Sequence, residues 1–430
     1  MGKGVQLRPS RIYMQEECMA DATADSLNAA GTGAKWPPRL GRAVALLGFP
    51  LSLVSAGATV SMAVTAAIGV GIAVSGKSMG EELRRVLLFM SACYLVLLSV
   101  DLLNGGGLAN FGSTGVNYLH LIALAPYTLA LSALGIRMAT IERMLQIAIW
   151  LGLANSVVRF FLFGEDRPGG LELNPIPYGF VLTMWGAFLL ARGLELGRTK
   201  GRFSVMTALA AIVPVVLTQS KIVWACLIVG YAIVVIFIAV RKGQARLIWA
   251  GAAVAVPVLF ASYYFLGYKR LALFRAELEA YFERGELTED SFGWRLELVR
   301  AALRAVEHKP WLGHGIIERR TAAFAYADPN GPNILPLSHL HNDYLTHLVA
   351  FGAPGLVFLL AFCAFIFIVA RRAADLGRRA AGYALLVMLM IYMTAEVAFN
   401  MDPISGAVTI ALGILLLKSP APDRQTTAKI

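Results

Sequence analysis

Charged residues are scarce in this 430-residue chain, at 15% of the sequence, whereas an ordinary soluble domain has roughly 25%. Hydrophobic residues make up 57%. Apolar runs of about 18 or more residues, long enough to cross a bilayer as a helix, recur along the whole length. The shortage of charge therefore excludes an ordinary soluble domain, and the long runs predict an all-α polytopic membrane protein.

Cysteine is also rare. The chain has 4 cysteines and no CxxC spacing, and all but Cys18 lie within apolar runs. This pattern argues against a disulfide framework and against a zinc–thiolate site. The sequence also shows no P-loop and no GxGxxG in a strand–helix context. We therefore predict no nucleotide and no other cofactor.

The apolar runs predict about twelve transmembrane helices. The runs cover residues 43–57, 58–75, 85–103, 117–135, 141–162, 176–195, 203–218, 221–240, 246–266, 344–370, 380–399 and 403–418. The first two form one continuous apolar stretch that is split only by Pro50 and a Ser/Gly-rich middle. We expect a tight hairpin of short helices there.

Lysine and arginine are unevenly distributed between the loops. The formal net charge of +11 could suggest a nucleic-acid partner. The basic residues instead collect in alternate short loops, such as 77–85 and 371–379, while the other short loops hold little besides Arg167 and Lys221. By the positive-inside rule, the basic loops and both termini face the cytoplasm, and nucleic acid is not a predicted partner.

The topology divides the chain into five parts. These are a cytoplasmic tail at 1–42 that does not resemble a signal peptide, helices one to nine at 43–266, a helical loop on the outer side at 267–343, helices ten to twelve at 344–418, and a cytoplasmic tail at 419–430.

The large loop contains two amphipathic segments, which begin at Tyr268 and Ser291. Leu296, Val299, Leu303 and Val306 form the expected apolar stripe of the second helix, and Pro310 ends it.

Histidine is confined to one side of the predicted membrane. All six histidines lie in the outer loop or at outer span ends. In "SHLHNDYLTHLVAFGAPGL" (338–356), His341 and Asn342 directly precede a span, where an imidazole can act as a general base near neutral pH. A helix-capping histidine is the alternative, and so is a metal site made by His339, His341 and His347. No carboxylate-rich motif accompanies them, so we predict no metal.

Cations lie on the same predicted face. Lys221 in "LTQSKIVWA" starts a span, and Arg295 is followed on its helix by Arg300 and Arg304. Each could be an interfacial anchor or a solvated side chain. Together they suit a diphosphate, because guanidinium forks match phosphate oxygens.

Three acidic residues, Asp101, Glu396 and Asp402, lie at outer span ends. A counter-ion or helix-end role is as compatible with their positions as catalysis. Glu396 is the deepest of the three. We predict His339, Asn342, Arg300, Arg304 and Glu396 as substrate-binding residues.

Three segments resemble a known family, the O-antigen ligase and polymerase superfamily. The 338–356 segment is similar to its signature H-x-H-N-x-[YF]-L before a Gly-rich span start. "LTQSK" resembles its Ser-Arg motif, with Lys221 in place of Arg, and "WRLELVRAALRAVEHKPWLGHG" resembles its Arg-led helix ending in Pro-x-x-Gly-x-Gly. The three occur in the family's order over residues 215–360.

The resemblance implies a lipopolysaccharide ligase with a GT-C-like fold in the bacterial inner membrane. Such enzymes transfer O-antigen from undecaprenyl pyrophosphate to a sugar hydroxyl of lipid A–core at the periplasmic face, without a metal. Carried over to this chain, His341 is the base, and Lys221 and Arg295 hold the pyrophosphate.

Two alternatives stay open. One is an O-antigen polymerase of the same superfamily. Polymerases have two large outer loops, whereas the earlier outer loops here are short. Arg304 and Gly315 nevertheless have the Arg–Gly spacing that is seen in polymerases. A transporter shares the signature as well, but it would place polar groups at mid-membrane, where these spans have almost no charge.

Overall fold

The computed structural model describes residues 38–107, 116–249, 251, 268–284, 291–399 and 402–418. Within these ranges the chain is helical and forms no strand longer than an isolated bridge. The helices are α1 Pro38–Leu51, α2 Gly57–Val74, α3 Glu81–Leu103, α4 Val116–Ala133, α5 Met138–Phe161, α6 Pro175–Lys200, α7 Arg202–Ala210, α8 Ile212–Leu217, α9 Lys221–Lys242, α10 Tyr268–Arg284, α11 Ser291–His308, α12 Arg319–Phe324, α13 Asp343–Phe351, α14 Ala353–Arg372, α15 Leu376–Met393 and α16 Asp402–Leu416.

In the described ranges, seven helices are long and apolar enough to cross a membrane, and three apolar stretches are shorter. The chain is therefore an all-α multi-pass membrane protein, as predicted, but the count of about twelve spans is not confirmed. The first predicted span, 43–57, is instead the 14-residue helix α1, which contains Pro50. The predicted span 246–266 and the tail 419–430 lie largely outside the described residues, as does most of the tail 1–42. The five-part division stays a prediction.

Two predicted spans are broken, for identifiable reasons. Residues 203–218 form α7 and α8 because Pro214 has no N–H to donate to the Ala210 carbonyl. Residues 344–370 form α13 and α14, which meet at Gly352 with a φ of +61°. A Cβ at Gly352 would lie 2.5 Å from the Trp311 carbonyl carbon, so this junction requires glycine.

The predicted span 380–399 also ends early. Helix α15 stops at Met393, and residues 394–399 leave the helix. This short non-helical segment contains Glu396. It matters for the site because it is fixed by side chains of the histidine motif.

The bundle places the start of α9 beside the end of α15. Cys226 of α9 donates to the Met388 carbonyl at 3.3 Å, and Phe237 packs on Tyr383 at 5.2 Å between ring centroids. The contacts run in opposite directions along the two helices, so α9 and α15 are antiparallel. Lys221 therefore lies at the same end of the bundle as Met393. The described cysteines Cys93, Cys226 and Cys363 form no disulfide.

The loop that the sequence places on the outer side contains the two predicted amphipathic helices, α10 and α11. Helix α11 packs on α12 and α13. Its buried apolar residues are Leu298, Ala301, Ala302 and Ala305, whereas Leu303 is 46% exposed. The predicted stripe was thus wrong at Leu303, because the small alanines form the face that the neighbouring helices approach.

Helix α3 connects the two ends of the bundle. Near its last turn, the Asp101 carboxylate accepts a hydrogen bond from the Ile316 amide at 2.7 Å. Near its first turn, Glu82 lies 3.9 Å from Lys418. At about 1.5 Å per residue, the two ends are roughly 30 Å apart.

Candidate active site

The histidine motif ends in a helix cap. The Asn342 side-chain oxygen accepts from the Leu345 amide at 3.0 Å, which fixes the first turn of α13. Directly before it, His341 has a φ of +47°, a left-handed conformation that is uncommon outside glycine. The chain therefore turns sharply at His341, and the rigid start of α13 holds that turn.

The same two residues that open α13 also fix segment 394–399. The Asn342 side-chain amide donates to the Thr394 carbonyl at 3.1 Å. The Asp343 carboxylate, which is fully buried, accepts from the amides of Ala398 at 2.7 Å and Phe399 at 3.2 Å. Both ends of the segment are tied to the motif, and Glu396 lies between them.

Glu396 is the centre of a four-residue cluster. Its Oε2 lies 3.2 Å from His341 Nδ1 and 3.4 Å from His339 Nε2, and its Oε1 lies 3.3 Å from an Arg295 guanidinium nitrogen. The Glu396 side chain is 2% exposed, whereas His341 is 22% and Arg295 38% exposed. The carboxylate thus forms the floor of the cluster, and the imidazole and the guanidinium remain reachable.

Opposing effects act on the pKa of Glu396. Burial raises it, but hydrogen bonds from His339 and His341, together with the charges of His341 and Arg295, outweigh burial and lower the pKa to about 2. The carboxylate is therefore ionised at neutral pH and can only accept hydrogen bonds.

The hydrogen bonds distinguish the two imidazoles. His339 uses both ring nitrogens, because Nε2 faces Glu396 and Nδ1 lies 2.8 Å from the Ser338 hydroxyl. His341 contacts Glu396 through Nδ1, and its Nε2 has no hydrogen-bond partner among the residues that the structure describes. A neutral His341 that donates from Nδ1 therefore has a lone pair on Nε2 for an incoming proton.

The other predicted site residues lie further from Glu396. Arg300 stacks over the Tyr281 ring and donates to its hydroxyl at 3.3 Å. Arg304 donates to the Tyr326 carbonyl at 3.1 Å. Lys221 is exposed at the start of α9, at the same end of the bundle.

The contacts of Arg295 and His347 differ from what the sequence suggests. The sequence suggested no acidic partner for Arg295, whose guanidinium pairs with Glu396 in the structure. His347 does not join His339 and His341, because its Nε2 lies 3.0 Å from the Tyr118 hydroxyl and its Nδ1 2.8 Å from the Asp343 carbonyl. Glu396, and not His347, is the residue that joins His339 and His341.

Asp343 and Arg319 have structural roles that sequence reasoning missed. Asp343 follows Asn342 in the histidine motif, but the sequence indicated no role for its carboxylate. Burial lowers the pKa of the Arg319 guanidinium, while the nearby charges of Asp343 and Asp101 favour its charged form. No spacing pattern indicated Arg319. Arg319 of α12 thus lies within electrostatic range of Asp101 in α3 and Asp343 in α13, and its guanidinium donates to the Ile316 carbonyl.

The cluster also has a spacing that could hold a metal. Ligating atoms of His339, His341 and Glu396 all lie within 4.8 Å of one another, and imidazole and carboxylate are zinc ligands. The guanidinium of Arg295 is hydrogen-bonded to the same carboxylate and opposes a second cation electrostatically. The same atoms therefore suit either a metal or a hydrogen-bonded proton-transfer site.

Comparison with known families locates this region. Residues 206–360 match the family described as O-antigen ligase. The predicted resemblance to that superfamily is thus confirmed, over nearly the range that the motifs indicated. The match includes Lys221, Arg295 and the histidine motif, whereas Glu396 lies beyond it. No curated protein sequence matches the chain.

Proposed function

We propose that this protein is a lipopolysaccharide ligase: a metal-independent, inverting, GT-C-like glycosyltransferase at the periplasmic face of the inner membrane. It transfers O-antigen polysaccharide from undecaprenyl pyrophosphate to a hydroxyl of lipid A–core. The observation that supports this most is the His341–Glu396 pair beside Arg295, built around the motif that matches the O-antigen ligase family.

His341 is the general base of the proposed reaction. The acceptor oxygen attacks the anomeric carbon and forms the new glycosidic bond, while the bond from that carbon to the pyrophosphate oxygen breaks. The acceptor proton passes to Nε2 of His341. Glu396 holds Nδ1–H and stabilises the imidazolium that forms. A single displacement inverts the anomeric centre.

Arg295 and Lys221 stabilise the leaving undecaprenyl pyrophosphate. Charge collects on the diphosphate as the sugar departs, and fixed cations facing that position lower the barrier. Arg295 is held by Glu396 through one nitrogen, which leaves other N–H groups of its fork for phosphate oxygens. Lys221 acts as a point charge and cannot bind bidentately.

The remaining predicted residues have supporting roles. Asn342 positions both the base and Glu396, and His339 completes the hydrogen bonding of the carboxylate. Arg300 and Arg304 lie on the same helix as Arg295, further out. We assign them to contacts with the donor glycan.

The decisive experiment is reconstitution of the purified protein with lipid-linked glycan and lipid A–core, read out by gel shift. His341→Ala should abolish transfer while the protein still inserts and unfolds at its normal temperature. The matched control is His308→Ala, because His308 stacks on Tyr326 away from the cluster. Full ligation by His341→Ala would refute its role as base.

The same assay separates the alternatives. If lipid-linked glycan alone yields longer lipid-linked chains, the protein is a polymerase. If solute moves across sealed vesicles without transfer, it is a transporter. A chelator should leave ligation unchanged, whereas inhibition that added metal reverses would assign the His339–His341–Glu396 cluster to a metal.

A further inference from the structure

At the opposite end of the bundle, we propose, the groove between α3, α14 and α16 binds an anionic phospholipid, with Arg372 contacting the phosphate. The mouth of this groove lies at the first turn of α3, about 30 Å along that helix from Asp101, which contacts the large loop. The lipid site does not depend on the proposed glycosyl transfer.

The groove is large and has an apolar floor. It encloses about 750 Å³. The small side chains of Ala361 and Ala364 in α14 line its floor and leave space above them. Phe89 of α3 stacks on Phe365 of α14 at 5.4 Å between ring centroids, and both rings line the groove. The interior of the groove is thus lined by small and aromatic apolar side chains, which suit hydrocarbon chains better than a polar ligand.

The mouth of the groove is charged and has one cation in excess. Arg85 is paired with Glu81, and Lys418 lies 3.9 Å from Glu82. Arg372 also lines the mouth and is exposed. Within the described residues it has no acidic partner at ion-pair distance. Three cations against two carboxylates leave one positive charge for an anion.

The order of these surfaces matches a phospholipid that stands in the bilayer. The charged mouth lies at the ends of three helices, where lipid headgroups are, and the apolar floor extends towards the middle of the membrane. Our topology places this end in the cytoplasm, whose leaflet is rich in anionic lipid. Basic pockets between transmembrane helices on that side suit such headgroups.

The test uses the purified full chain in detergent after removal of co-purifying lipid. Lipid binding is measured by native mass spectrometry and by the shift in unfolding temperature with phosphatidylglycerol, phosphatidylcholine or soluble glycerophosphoglycerol. Phosphatidylglycerol should bind and raise the unfolding temperature. Phosphatidylcholine and the chain-free headgroup should bind more weakly, since the first lacks the net charge and the second lacks the chains.

Two variants localise the effect. Arg372→Gln should weaken phosphatidylglycerol binding about fivefold. This factor corresponds to the roughly 1 kcal/mol of attraction that one basic residue has for anionic lipid. Arg371→Gln is the matched control, because Arg371 is the adjacent basic residue but does not line the groove. Ala364→Leu, which fills the floor, should weaken binding of the lipid.

Equal binding of phosphatidylglycerol by the parent protein and by Arg372→Gln would overturn the proposal. So would equal binding of phosphatidylcholine, which would indicate non-specific contact with the bilayer. Transfer activity is not the readout, so failure of the proposed ligase function would leave this result unaffected.

Discussion

At the scale of single residues, Glu396 is the side chain on which the site depends. The sequence singled out His341, Arg295 and Glu396, but each for a separate reason. Their pairing joins residues 55 and 101 positions apart in the chain. Helical periodicity carries no information over such separations, so the sequence could propose the members of the site but not their contacts.

Replacing Glu396 by glutamine should lower the transfer rate about 100-fold, in the range for general acid–base groups. A neutral amide cannot accept hydrogen bonds from two imidazoles and a guanidinium as an ionised carboxylate does. The rate is measured at saturating donor and acceptor. Glu195→Gln is the control, because Glu195 pairs with Arg192 away from the cluster. Equal losses in the two variants would contradict the role of Glu396.

The low pKa of Glu396 predicts a pH dependence of stability. A glutamate in an unfolded chain titrates near 4.3, whereas Glu396 in the folded protein has a pKa of about 2. A depressed folded-state pKa stabilises the protein above the unfolded pKa, and the contribution is lost as the pH falls towards the folded value. The difference in unfolding temperature between parent and Glu396→Gln should persist down to about pH 5 and narrow between about pH 4 and 2. A constant difference throughout would argue against the ionised cluster.

At the scale of helices, the sequence predicted where apolar helices lie but not where they break. The amphipathic helices α10 and α11 occur where periodicity placed them. The break at Gly352 and the exit of residues 394–399 from α15 depend on partners distant in sequence, namely Trp311 for the first and Asn342 with Asp343 for the second. Sequence patterns predict one span for each continuous apolar run, because they contain no information about such contacts.

Asp343 is expected to matter for geometry more than for substrate binding. Asp343→Ala removes the acceptor for the amides of Ala398 and Phe399, so Glu396 is held less rigidly. We expect a fall of about tenfold or more in kcat with little change in KM, since small misplacements of catalytic groups are costly. Asp343→Asn keeps an acceptor oxygen and should recover part of the rate.

The matched control for Asp343 is Asp375. The Asp375 carboxylate accepts from the Arg378 amide and so caps the start of α15, the end opposite to segment 394–399. Asp375→Ala removes the cap and also the ion pair with the buried Arg378 guanidinium, so it should cost more than the roughly 1 kcal/mol that is typical of a lost cap. It should leave kcat unchanged. If both alanine variants reduce kcat in proportion to their loss of stability, Asp343 has only a structural role.

At the scale of the whole molecule, the bundle separates two chemistries. At its last turn α3 contacts the loop and α13, the helix that the histidine motif opens, whereas the basic groove lies at its first turn. The distribution of lysine and arginine predicted this polarity, because topology rules act on loops and not on contacts. The count of about twelve spans is not confirmed, because short and broken helices resemble full spans in composition.

Membrane orientation is tested by cysteine labelling in a background without the native cysteines. Leu335 lies in the loop before the histidine motif and Lys77 in a short basic loop, and both are exposed. A membrane-impermeant thiol reagent added outside spheroplasts should label Leu335→Cys, and label Lys77→Cys only after lysis. The reverse pattern would place the histidine cluster in the cytoplasm and remove the proposed function.

The anchoring of segment 394–399 has a consequence for amide hydrogen exchange. The N–H groups of Ala398 and Phe399 lie outside any helix, yet both donate to the fully buried Asp343 carboxylate. Their protons should exchange with deuterium as slowly as those inside α15, although they belong to a loop. Deuterium uptake at these two amides therefore reports on how firmly Glu396 is held, in protein to which no glycan or lipid substrate has been added.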